Sequence, residues 1–258
     1  MNIGKCKLCL KEDVELLSKS HIIPDFFHVG LKNEKGRYSL ILPDKYIKGR
    51  NQHLKNPFGA MFESDLLCAT CDNKIISSYE TALNSMLIEN ENSNCDFEYG
   101  GKNFKIYKNI DYRKLKLGLL SILWRASIAK NEMFEQINIR TEHEEKLRLM
   151  ILNNDAKDVE DYPIFIYLFD KDDEKLITNP RFLDDNPNQK AQFIINGYMF
   201  IFIIGKDSTF KLSSSVPNNS GEIFLEIKEE KYLKNHMWEL VEKTKEKLNK
   251  LNSNENNY

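Results

Sequence analysis

The chain has 258 residues, 41% of them hydrophobic, enough apolar material for one large or two small domains, and two are expected. Charged residues make up 29%, but a formal net charge of -2 and a pI near 6.3 exclude a global attraction to polyanions. Nucleic-acid contact would therefore need a local basic patch or a partner. No apolar run approaches the roughly 18 residues of a membrane span, and the N-terminus lacks a basic stretch followed by an apolar one, so a cytoplasmic protein with no membrane partner is expected.

The first 110 residues carry three of the five histidines and every cysteine, and read as the chemical module. Residues 24–68 are punctuated by Pro24, Gly30, Gly36, Pro43, Gly49, Pro57 and Gly59, a pattern of loops with short elements between them. A helix is expected over 66–87, where Leu67, Cys71, Ile75, Tyr79, Leu83 and Met86 recur at spacings of three and four. Alternation over 97–107 about Gly100-Gly101 predicts a hairpin. Asp111 then caps a helix through Leu115, Leu119, Ile122, Leu123 and Ile128, with Trp124 packing between the two halves of the chain. A shorter helix is expected over 142–152.

After Pro163 the runs 164–169, 175–178, 192–204, 209–212 and 222–227 read as strands of an antiparallel sheet, with a turn at Asn196-Gly197 inside the longest. Tyr232, Leu233, Met237, Leu240, Val241 and Leu248 form the apolar stripe of a final helix over 230–251, whose lysines alternate with glutamates and read as a solvated face. From 252 the tail is polar and reads as disordered. The expected fold is α+β, with a cysteine-rich module over 1–110 and a helical plus antiparallel β domain over 111–258.

Four of the five cysteines form two pairs, Cys6-Lys-Leu-Cys9 and Cys68-Ala-Thr-Cys71. In a reducing compartment this pattern points to metal rather than disulfides. Each pair can put two sulfurs on one ion, and two pairs complete the four-thiolate tetrahedron that zinc favours. The wide gap between pairs suits a treble clef, in which an N-terminal knuckle and the first turn of a later helix supply two ligands each. Such a zinc is structural, because four thiolates leave no open position for water. Cys95 is left over and reads as an inert thiol.

Between the pairs lies Ser20-His21-Ile22-Ile23-Pro24. The order of CxxC, His-apolar-x-Pro and CxxC over residues 3–82 resembles the HNH nucleases, also called ββα-metal nucleases. With the acidic residue after Cys71 and a Tyr-Glu further along the helix, it looks like a bacterial subgroup that often accompanies mobile-element or phage-defence genes. The resemblance implies a treble-clef ββα-metal module and a DNA phosphodiesterase acting as an effector of anti-phage defence. It makes His21 the general base, a role an imidazole can fill near neutral pH. It also implies a catalytic magnesium or manganese ion beside the structural zinc.

Two positions depart from the family pattern. Ser20 stands where an acidic ligand is usual, and Asp72 stands where Asn or His commonly follows the last cysteine. A carboxylate is a good oxygen ligand for magnesium, so Asp72 is read as recovering the charge that Ser20 lacks. Asn73 is the adjacent alternative, and Glu80, about two turns on, offers a second carboxylate. Lys74 reads equally as a phosphate contact or an exposed helix lysine. His28 and His53 are expected on loops or the surface, and Trp124 and Arg125 in core packing. The alternative function is a catalytically inactive zinc module that binds nucleic acid or a protein. A protein partner or a second copy of the chain would supply the basic surface that the overall charge lacks.

Overall fold

A computed structural model describes residues 2–29, 40–41, 61–89, 95–169, 177–183, 190–207 and 216–229. The strand expected over 209–212, the helix over 230–251, the tail from 252 and His53 lie outside the described residues, as do the first two positions of the 175–178 run.

The fold is α+β. Its strands are β1 (Asn2–Gly4), β2 (Val14–Leu16), β3 (Ser20–His21), β4 (Leu40–Ile41), β5 (Phe62–Glu63), β6 (Cys95–Tyr99) and β7 (Lys102–Lys108). The series continues with β8 (Ile164–Phe169), β9 (Ile177–Thr178), β10 (Arg181–Phe182), β11 (Lys190–Ile195), β12 (Tyr198–Ile203) and β13 (Glu222–Lys228). The long helices are α1 over 71–89, α2 (Tyr112–Ile128) and α3 (Thr141–Leu152).

Among the described residues nine strands form one sheet in the order β4-β9-β11-β12-β8-β13-β7-β6, with β10 also on β11. Strands from both sides of residue 110 pair in it, β7 with β13. The local turn rules are met. Gly100 and Gly101 both take positive φ between β6 and β7, and Asn196 and Gly197 do so between β11 and β12, the geometry a two-residue hairpin loop needs. The expectation of a purely antiparallel sheet is corrected at two places, since β8–β13 and β4–β9 are parallel. Alternation of apolar residues specifies which face a strand buries but not its direction, and β13 reaches β8 only after four intervening strands.

One continuous core lies between the sheet and the helices, drawing Phe193, Phe200, Phe202, Ile223 and Leu225 from the sheet and Leu67, Leu83 and Leu119 from the helical side. Helix α2 is its axis. Asp111 caps it as expected, its Oδ1 accepting from the Lys114 amide at 3.0 Å. The helix is buried almost all round, which is why its apolar residues spill beyond one stripe. Gly118 allows α1 to approach, because a Cβ there would lie 2.7 Å from Leu83 Cγ. The 66–87 expectation is corrected at its start. Leu66 and Leu67 lie outside the helix, since their carbonyls accept from the Lys7 and Leu17 amides of the N-terminal segment and so cannot serve a helix.

Lys116 is buried in α2, its Nζ donating to Tyr112 Oη at 3.0 Å and to the Asp158 carbonyl at 2.6 Å. Burial pulls its pKa down to about 8, with Asp161, Asp158 and Asp155 opposing the shift. Between that value and the ordinary 10.5 the unfolded chain holds a proton that the folded one lacks, so stability contributed at Lys116 rises with pH across this window. Urea unfolding from pH 8 to 9.5 should therefore show the wild type gaining about 2 kcal/mol relative to Lys116→Met. Parallel pH profiles would exclude the buried ammonium as the source.

Candidate metal centre and the His21 site

Strands β1 and β2 pair antiparallel, Gly4 opposite Val14, and frame the first cysteine pair. Between them the Cys6 amide donates to the Lys11 carbonyl and the Leu10 amide to the Cys6 carbonyl, folding the Cys6–Cys9 stretch into a tight knuckle. The second pair is docked on this hairpin through the Leu66 and Leu67 carbonyls and a bridge between Leu16 and Cys68. The Cys68 amide donates to Cys6 Sγ at 3.4 Å.

All four sulfurs lie within 4.8 Å of one another, and none is in a disulfide. A tetrahedral zinc with Zn–S bonds of roughly 2.3 Å needs sulfurs about 3.8 Å apart, so the set is close to ligating geometry. Burial, and then the neighbouring Cys6, push the Cys71 thiol well above its ordinary pKa. Thiolates packed this closely need a cation among them, and the donor set suits a metal ion such as zinc. Among the described residues it is the one group of three or more His, Cys, Asp or Glu side chains close enough to hold an ion.

The same scaffold presents His21. Strand β3 pairs with β5, Ser20 opposite Glu63 and His21 opposite Phe62, and the Ile22 amide donates to the Met61 carbonyl. The imidazole is half-exposed and meets the Phe62 ring edge-on. Its Nε2 lies 3.2 Å from Asp25 Oδ1, which is also 3.5 Å from His28 Nδ1. Asp25 was not singled out in the sequence; the only signal was its place four residues after His21, where a single turn following Pro24 returns it to the imidazole. His28, expected on a loop or the surface, lies in that short turn but is buried, because the turn packs Phe27 against Tyr198 and Phe200 of the sheet.

Asp72 and Glu80 come from α1. The helix winds as π turns over Cys71–Ile76 before becoming α-helical at Ser77–Leu83. In a pure α-helix eight residues make about 2.2 turns. The wider π winding brings that count nearer two, so Asp72 and Glu80 address the same side. Burial raises the Asp72 carboxyl, while Arg125, the Ser20 hydroxyl and His21 pull it down. Ser20 Oγ is itself fully buried and makes no well-aligned hydrogen bond among the described residues. Glu80 Oε1 accepts from Arg125 Nη1 at 2.8 Å.

The structure thus gathers Ser20, His21, Asp72, Glu80 and, from α2, Arg125. Arg125 was read as core packing and is indeed fully buried, but its guanidinium also reaches the His21 carbonyl. No sequence spacing links it to the site, because the contact spans more than a hundred residues. Asn73 and Lys74 are exposed on α1, with no contact to this group among the described residues. Trp124 is buried as expected. No helix among the described residues is long and apolar enough to cross a membrane. Compared with protein-family models, curated proteins and solved structures, the chain matches none.

Proposed function

We propose that this protein is a metal-dependent endonuclease of the HNH type that hydrolyses DNA phosphodiesters, its four cysteines holding a structural zinc in a treble-clef arrangement. The observation that carries the reading is a half-exposed imidazole whose backbone is joined through Arg125 to the helix that starts in the cysteine cluster and carries Asp72 and Glu80. His21 takes a proton from water. With Nε2 turned toward Asp25, Nδ1 is the nitrogen left for that task, and Asp25 steadies the tautomer.

Asp72 would hold the magnesium or manganese ion, with Glu80 as the second oxygen donor on the same helix; one or two protein carboxylates are usual for magnesium, the rest of its shell being water and phosphate. When bound, that ion offsets the negative charge developing on the phosphoryl and leaving oxygens. Purified protein should cut at least one of plasmid, linear duplex, single strand and RNA in the presence of magnesium or manganese. DNA cleavage is expected, and failure on every substrate would reject the reading.

The pairing of Glu80 with Arg125 and the neutrality of Ser20 favour a second reading, a non-catalytic zinc fold that binds nucleic acid or a partner protein. A manganese titration separates the two. The nuclease takes up manganese beside one equivalent of zinc, and Asp72→Asn removes the manganese and the cleavage while leaving the zinc. No manganese uptake by the wild type points to the binding module.

A further inference from the structure

Arg125 carries a full charge at zero exposure, and the way that charge is satisfied is informative. Its Nε donates to the Ser121 carbonyl at 3.2 Å and its Nη2 lies 3.4 Å from Ser121 Oγ, so one side of the guanidinium is anchored to α2 itself. The other side reaches out. Nη1 donates both to Glu80 Oε1 on α1 and to the backbone carbonyl of His21 on β3. One side chain therefore joins three elements, and one of its acceptors belongs to the residue that presents the imidazole.

From this we infer that Arg125 is a positioning residue that fixes His21 against the α1 carboxylates, an inference that rests on the nuclease reading of the site. The β3–β5 ladder is two residue pairs long, too short to hold a strand rigidly by itself. A charge-assisted bond to the His21 carbonyl holds the backbone atoms from which the imidazole extends. The planar fork of arginine can serve Ser121, Glu80 and His21 at once; a lysine ammonium, a point charge on a flexible stem, cannot keep that geometry. Glu80 on α1 accepts from the same guanidinium, so the His21 backbone and an α1 carboxylate are referenced to one buried group.

Full burial also means that Arg125 does not touch substrate. Its loss should act on the chemical step and spare binding. A displacement of about 1 Å in a reacting group can cost roughly 100-fold in rate.

The test is Arg125→Lys, together with the double variant Arg125→Met/Glu80→Gln, which removes both partners of the Arg125–Glu80 ion pair if the lysine form folds poorly. Zinc content and thermal unfolding verify that each is folded. Both should lower kcat about 100-fold with KM within about 2-fold of wild type. Hydrogen exchange should show loss of protection at residues 20–22 in both. Cleavage within about 3-fold of wild type by either folded variant, or a loss expressed mainly in KM, would overturn the inference. Unchanged protection at 20–22 would overturn it as well, and that readout needs no activity. A wild type that cuts nothing rejects the nuclease reading itself, and the exchange result then decides whether Arg125 holds the His21 segment.

Discussion

Replacing His21 by Ala is expected to lower cleavage about 10²- to 10⁴-fold while leaving zinc stoichiometry and thermal stability unchanged. The expectation of separable effects comes from how the residue is held. Its contribution to the fold is made by the backbone, through pairing with Phe62 and through the carbonyl that accepts from Arg125, and alanine preserves both. The imidazole itself is half-exposed, with Nε2 near Asp25 and its ring edge-on to Phe62, so truncation opens no cavity in the core. Single-turnover cleavage, elemental analysis and a melting curve on one preparation would decide the matter. An alanine variant that cuts as fast as wild type would exclude His21 as the base.

Metal removal should have the largest effect on stability. Gently purified protein is expected to carry one equivalent of zinc, and less than half an equivalent would reject the assignment. Cys6, Cys68 and Cys71 are buried in the same core as Leu8, Ile22, Phe27 and Leu67, so the cysteine cluster and the hydrophobic packing around it form together. Apparent zinc affinities of structural sites correspond to about 10–16 kcal/mol, comparable with or greater than the 5–15 kcal/mol net stability of a whole domain. Chelation, or Cys71→Ser, should therefore unfold the N-terminal hairpin and the first turns of α1. Hydrogen exchange would show protection lost over 2–22 and 66–76 first. Retained protection in metal-free protein would mean that the cysteines pack as ordinary thiols.

Features governed by local rules were legible in the sequence. Asp111 caps α2 because a side-chain oxygen one residue before a helix can reach an amide of the first turn. The Gly100-Gly101 and Asn196-Gly197 turns form where backbone with positive φ is tolerated, and β8 occupies the run read for it. The paired cysteines were equally readable, since two residues of separation already suit two sulfurs to one ion. Misreadings arose where a distant partner overrode the local pattern. Leu66 and Leu67 fit a helical spacing but lend their carbonyls to the N-terminal hairpin, and His28 was drawn into the core by the packing of Phe27 on the sheet.

By itself, then, the sequence determined the α+β class, the hairpins, the capped central helix and the two cysteine pairs able to hold a metal ion, all consequences of side-chain chemistry acting within a few residues. Tertiary structure alone decided the parallel pairing of β13 on β8, the closing of Asp25 on His21, and the convergence of Ser20, Asp72, Glu80 and Arg125. Strand direction is not encoded in apolar alternation. The partner of a buried charge is whichever acceptor the finished fold brings within reach, and for Arg125 that includes the carbonyl of His21.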